Sequence, residues 1–208
     1  MTAIVDYGVG NLFSLRSSFK AIGAEAVVTA EAEVLHSAQR IVLPGVGAFQ
    51  DAMDKLRATG LDGVIKSEAA SGKPLLGICL GMQMLFEKSY EFGEFEGLGL
   101  IPGEVRPIAE VIPPELKIPH IGWNALIFKK EDELFRYIRN GDCVYFVHSY
   151  AAAGCDGAVT ATAEYGAELT AAVCAGNVHG CQFHPEKSGK VGLGILKAFC
   201  ESGGAMNC

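Results

Sequence analysis

Pro74-Leu75-Leu76-Gly77-Ile78-Cys79-Leu80-Gly81-Met82-Gln83 decides the reading of the chain. Its first half is a short apolar run after a proline, which reads as a buried β-strand. Its second half continues to Glu87 with helix-like character, so strand meets helix with no linker. Gly77-Ile78-Cys79-Leu80-Gly81 marks the junction. Glycine, any residue, nucleophile, any residue, glycine is the pattern of a nucleophile elbow. A sharp turn there holds the nucleophile at strained backbone angles, and neighbours without Cβ atoms avoid the clash. The sulfur is then expected at a helix N-terminus, where the dipole favours thiolate. The Leu80 N–H points to where an oxyanion would develop. The plain alternative is a buried cysteine packed as a small hydrophobe. Ligands of open sheets gather at the carboxyl ends of strands, and that placement favours the elbow.

Upstream, Ala3-Ile4-Val5 reads as a strand ending at Asp6, Ala26-Val27-Val28 as a second, and Arg40-Ile41-Val42-Leu43 as a third halted by Pro44-Gly45. Asn11 can cap a helix with Leu12, Leu15, Phe19 and Ile22 on one face and Gly23 as its stop. Phe49 to Thr59 and Leu61 to Ser71 read as helices around Gly60. Downstream, Val105 to Trp123 carries four prolines. Cys143 to Val147, Ala158 to Ala163, Thr170 to Cys174 and Val178 to Phe183 read as strands, with a hairpin-type link at Ala175-Gly176-Asn177. A last helix runs from about Val191 to Glu201. The expected fold is α/β, with an open, mostly parallel central sheet flanked by helices and additional antiparallel strands in the C-terminal half. Residues 1–208 are expected to form one domain.

Half of the 208 residues are hydrophobic and 20% are charged, which excludes a disordered chain. Seventeen lysines and arginines stand against 24 acids, and no basic stripe occurs, so no nucleic-acid partner is expected. The longest uncharged apolar window, Pro74 to Phe86, is too short to span a bilayer. The N-terminus lacks a secretory pattern. A cytoplasmic protein with reduced thiols and no membrane partner is expected. Of seven cysteines, Cys79 stands alone in the first two thirds. Cys143, Cys155, Cys174, Cys181, Cys200 and Cys208 are expected to be packing thiols. No C-x-x-C pair occurs, which excludes zinc ribbons and thioredoxin-type motifs.

A thiolate nucleophile needs a base. His36 lies in a peripheral helical segment, His120 is set between Pro119 and Gly122, and His148 and His179 read as packing histidines. His184 ends an apolar strand and is followed by Pro185-Glu186. Proline fixes the exit of the chain, so Glu186 can turn back onto the imidazole. Cys79, His184 and Glu186 would then be nucleophile, base and orienter. Cys174, His179, Cys181 and His184 have metal-ligand chemistry, but strand alternation separates His184 from His179 and Cys181. No metal and no cofactor is expected.

Six blocks carry a resemblance: Asp6-Tyr7-Gly8-Val9-Gly10-Asn11, Pro44-Gly45-Val46-Gly47-Ala48-Phe49, Gly77-Ile78-Cys79-Leu80-Gly81-Met82-Gln83, Pro119-His120-Ile121-Gly122-Trp123-Asn124, Phe146-Val147-His148-Ser149-Tyr150 and Gln182-Phe183-His184-Pro185-Glu186-Lys187. In this order the chain resembles the class I (triad) glutamine amidotransferases. Its first and fourth blocks resemble the branch that supplies imidazole glycerol phosphate synthase. The resemblance implies glutamine hydrolysis through a Cys79 thioester, with an oxyanion hole from Leu80 and the Gly45-Val46-Gly47 stretch. It implies substrate contacts from Gln83 and Glu91, with His148-Ser149-Tyr150 edging the pocket. It implies a heterodimeric partner, a cyclase subunit built as a (β/α)8 barrel, which receives the ammonia. Asn11, Trp123 and Lys187 are candidates for that interface. Read without the resemblance, Asn11 is an N-cap, Trp123 a core residue and Pro44-Gly45-Val46-Gly47 a tight turn.

Overall fold

The apolar runs of the first half pair in parallel. β1 (Thr2–Val5) lies between β2 (Ala26–Thr29) and β3 (Arg40–Gly45), and β3 pairs with β4 (Leu75–Cys79). Four helices make the crossovers in this computed structural model, which describes residues 1–201: α1 (Leu12–Ala21), α2 (Ala32–Ser37), α3 (Phe49–Ala58) and α4 (Leu61–Ala70). Successive strand residues face opposite sides, so two cores form. Ala3, Val5, Ile41, Leu43 and Leu75 face Phe49, Met53, Leu56 and Ile65 of α3 and α4. Ile4, Val42, Leu76 and Ile78 face Leu15 and Phe19 of α1, together with Ile195, Leu196 and Phe199 of α6 (Gly189–Glu201).

The second half extends this sheet. β14 (Val178–Cys181) joins β4 in parallel, and β13 (Glu168–Ala175), β12 (Val159–Glu164) and β9 (Ile127–Phe128) continue it antiparallel. The strand order is β2-β1-β3-β4-β14-β13-β12-β9. A smaller sheet combines β5 (Phe86–Ser89), β6 (Phe95–Glu96), β7 (Ile101–Pro107) and β11 (Tyr150–Ala153). A two-stranded ribbon pairs β8 (His120–Ala125) with β10 (Cys143–His148). The expected α/β architecture, parallel at the centre with antiparallel additions, is what the chain adopts. Among the described residues no helix is long and apolar enough to cross a membrane.

Three expectations change. The helix expected from Leu80 to Glu87 is one turn, α5 (Leu80–Gln83), after which the chain enters β5. Met84, Leu85 and Phe86 are all fully buried, and their carbonyls accept hydrogen bonds from the N–H groups of Leu98, Leu100 and Gly99 respectively. Pairing with this distant segment replaces the second helical turn, and so short a helix has little dipole to offer the sulfur. Cys143 is exposed rather than packed, because it opens β10 on the solvent-facing side. Cys155 and Cys181 are buried free thiols and Cys200 a partly buried one, while Cys174 is buried but disulfide-bonded and so not the reduced packing thiol expected; Cys208 lies outside the described residues. Trp123 is 55% exposed and does not belong to a core.

A Cβ built on Gly81 would lie 1.9 Å from the Leu43 carbonyl oxygen, whereas one on Gly63, inside α4, would meet nothing within 4 Å. Gly81→Ala should therefore destabilise the fold by about 3 kcal/mol or more, and Gly63→Ala should stabilise it by about 0.5–1 kcal/mol. Urea unfolding of the two variants checks both signs.

Candidate active site

Cys79 ends β4 with φ 55° and ψ −113°, the left-handed region that a Cβ-bearing residue occupies only under constraint. The constraint is close backbone packing. A Cβ on Gly77 would come within 2.7 Å of the Gly81 carbonyl oxygen, and one on Gly45 within 2.7 Å of the Gly81 N–H nitrogen. The elbow and the Pro44-Gly45 segment of β3 therefore touch backbone to backbone. Tyr7 fixes that segment from below, donating its hydroxyl to the Pro44 carbonyl at 2.8 Å. Burial, with a smaller contribution from Cys79, pushes the Tyr7 phenol far above its usual range.

His184 arrives from the neighbouring strand β14. Its N–H donates to the Tyr145 carbonyl at 3.0 Å, and its carbonyl accepts from the Ser188 hydroxyl at 2.7 Å. Pro185 opens a 3-10 turn that returns Glu186, whose Oε1 lies 2.8 Å from His184 Nδ1. A proton on Nδ1 directed at this carboxylate leaves Nε2 for Cys79. Burial disfavours charge on the ring, but the hydrogen bonds to Cys79 and Glu186 outweigh it and raise the His184 pKa to about 9.

An open cleft of about 310 Å³ lies over these groups. Val46, Gly47, Leu80, Gln83, Glu91, His148, Ser149, Tyr150 and Lys187 line it with Cys79 and His184. All the sequence-predicted substrate residues thus converge. Gly45 lies one layer beneath, beside a small cavity that it shares with Asn11, His184 and Glu186. Glu91 Oε2 accepts from the Phe49 N–H at 2.6 Å, and burial raises its carboxyl pKa.

Residues 3–201 match the sequence family described as Glutamine amidotransferase class-I. This chain belongs to that family. It is 48% identical over 202 residues to "Imidazole glycerol phosphate synthase subunit HisH" of Caldanaerobacter subterraneus subsp. tengcongensis, covering 97% of this chain and 98% of the relative. The protein of the same description from Aquifex aeolicus is 49% identical over 200 residues, with 95% of each chain covered. Among solved structures, PurLQS from Thermotoga maritima aligns with a TM-score of 0.71 at 20% identity, covering 95% of this chain and 96% of that one, a likeness of fold.

Within this amidotransferase site, three residues escaped the reading of the sequence. Gln182 is fully buried, accepts from Gln83 Nε2 at 2.9 Å and places its own Nε2 3.8 Å from the Cys79 sulfur. It precedes His184 by two positions, the spacing that keeps side chains on one face of a strand, and that signal was available. His120 pairs with His148, and Tyr7 holds the Pro44 carbonyl; both are long-range contacts with no local pattern. The four-residue metal set does not assemble. Cys174 and His179 meet Asp132 instead, with one ligand atom of each within 4.8 Å of the others, and Cys181 and His184 lie outside that group. His179 is level with Leu76 of β4, three residues before Cys79. Of the interface candidates, Trp123 and Lys187 are exposed and both neighbour Tyr145: the tryptophan ring lies edge-on at 5.9 Å and the lysine Nζ 5.8 Å from the ring centre. Asn11 is exposed and caps α1, its Oδ1 accepting from the Ser14 N–H at 3.4 Å.

Because its folded pKa is raised, His184 should remain charged at neutral pH and lose its proton as pH rises through about 9. Glu186→Gln removes one of the two supports and should lower that midpoint by roughly one unit or more. Titration of the ¹⁵N-labelled imidazole by NMR checks both.

Proposed function

We propose that the chain is the glutaminase subunit of an imidazole glycerol phosphate synthase, working as one amidotransferase domain over residues 1–208 in the cytoplasm. The observation that carries the reading is the convergence of Cys79, His184 and Glu186 on one cleft, in a chain about 48% identical along nearly its whole length to proteins of that description. Cys79 thiolate attacks the side-chain amide carbon of glutamine, forming a C–S bond. The oxyanion is held by the Leu80 N–H and by an N–H of the Gly45-Val46-Gly47 stretch. His184 gives its proton to the departing nitrogen as the C–N bond breaks, and ammonia leaves a glutamyl thioester. His184 then takes a proton from water, which attacks the thioester; glutamate departs and the thiolate returns. Glu186 keeps the ring oriented throughout, as the third member of a triad does. Gln83, Glu91, His148, Ser149 and Tyr150 form the walls that hold glutamine.

Ammonia released to water becomes ammonium and loses its nucleophilicity, so the open face of the cleft calls for a cover. We take that cover to be a cyclase subunit with a (β/α)8 barrel. Trp123 and Lys187, with Asn11 beside the triad, supply the rim, and Val46 and Ile121 add exposed apolar area (42% and 57% exposed). Aromatic residues surrounded by a charged rim suit a protein interface.

Cys79→Ala, mixed with the cyclase, should release no glutamate from glutamine, keep the wild-type circular dichroism spectrum and still support synthesis from added ammonia. Glutamate release at the wild-type rate in that variant would sink the reading. Trp123→Ala should weaken association with the barrel about tenfold or more, measured by titration calorimetry.

A further inference from the structure

A continuous line of hydrogen bonds runs from the β8–β10 ribbon to the catalytic sulfur. His120 and His148 lie directly opposite each other in that ribbon, with His120 Nδ1 3.0 Å from His148 Nε2. At one end, His120 Nε2 lies 2.8 Å from Asn124 Oδ1, and Asn124 Nδ2 donates to the Glu164 carbonyl at 2.9 Å. At the other, His148 Nδ1 lies 2.8 Å from the Tyr150 carbonyl, which also accepts from Gln83 Nε2 at 3.1 Å. Gln83 donates on to Gln182, and Gln182 Nε2 lies 3.8 Å from Cys79 Sγ. His120 is 1% exposed and clamped between the rings of Phe146 and Tyr165.

Counting protons exposes a mismatch. Both ends of the histidine pair meet acceptors. The Tyr150 carbonyl can only accept, and turning the Asn124 amide over would set its oxygen against the Glu164 carbonyl. Three contacts therefore need three protons, and two neutral imidazoles carry two. Every neutral arrangement leaves one contact with lone pairs opposed. One additional proton, shared between the rings, closes all three.

We propose that His120 and His148 form a single proton-binding unit, and that His120 is a positioning residue which, through His148, Tyr150, Gln83 and Gln182, sets the Cys79 sulfur. The two states of the unit, neutral with one contact open and charged with the line closed, make it a discrete switch rather than a passive wall. The inference takes Cys79 as nucleophile from the reading above, but the proton count is independent of it.

His184 stands beside His148, Tyr165 stacks on His120, and Cys79, Glu91, Tyr150 and Lys187 share the cleft wall with His148. Burial pushes His148 down to about 4, with His120 and His184 beside it adding to the depression, and burial also lowers His120. Closing the third contact with a charged donor works against that depression, so the pair takes up its one proton on the acid side of the ordinary imidazole range.

The test uses the full chain labelled with ¹⁵N-histidine, titrated by NMR between pH 4.5 and 9, with the rate of Cys79 alkylation by iodoacetamide followed over the same range. Wild type should show both rings responding together to the uptake of one proton on the acid side of neutrality, and a several-fold step in alkylation at the same midpoint. His120→Phe, which keeps a ring between Phe146 and Tyr165, should lose that step and keep the limb governed by His184. Asn124→Asp, which adds a charge beside the pair, should raise the shared midpoint. Independent titration of the two rings, no uptake above pH 4.5, or an unchanged alkylation profile in His120→Phe would each overturn the proposal. Because the readouts are proton binding and thiol alkylation, failure of glutamine hydrolysis would be a separate result.

Discussion

Close contact between two backbones governs this molecule. Gly81 packs so tightly on the Leu43 carbonyl, and Gly45 on Gly81, that no side chain fits at either place. That contact locks the turn after β4 and holds Cys79 at positive φ, a conformation costing roughly 1–3 kcal/mol that only a rigid surround maintains. The register of the sheet then does the rest. Gly45 is paired with Cys79, so the Pro44-Gly45-Val46 stretch must border that sulfur. β14 lies on the other side of β4, so the chain leaving it carries Gln182 and His184 over the same sulfur. The grouping of Cys79 with Gln182 and His184, residues a hundred positions apart, follows from three adjacent parallel strands.

Electrostatics assign the charge within that arrangement. Two histidines border one cleft and are driven in opposite directions: His184 upward to about 9 by Cys79 and Glu186 in spite of burial, His148 downward to about 4 chiefly by burial. Titratable neighbours whose environments push them apart commonly hold different duties. The ring with a carboxylate behind it is the one favoured to carry the proton, as the base role proposed for His184 requires. The ring without one lies in the cleft wall, hydrogen-bonded to His120 and the Tyr150 carbonyl.

The legible parts of the sequence were those with local causes. Buried strands of β-branched and leucine residues, helices with one apolar face, and glycine stops led to the parallel half. The His-Pro-Glu spacing led to the hydrogen bond between His184 and Glu186, because two residues and a proline determine it. Met84-Leu85-Phe86 misled, since an apolar run has no period of its own and its pairing with residues 98–100 is a tertiary fact. Gln83 to Gln182, His120 to His148 and Tyr7 to Pro44 span 99, 28 and 37 residues and leave no local pattern. Cys143 and Trp123 are residue types usually found inside, and their exposure follows from standing on the open face of the β8–β10 ribbon.

The proposed chemistry requires the elbow to set the Cys79 sulfur apart from the other cysteine thiols. Peptide mass mapping after brief exposure of the folded chain to a glutamine-like chloroketone tests it most directly. A single adduct is expected, on the peptide carrying Cys79, and competing glutamine should suppress it. Labelling of exposed Cys143 at an equal or greater rate, insensitive to glutamine, would contradict it.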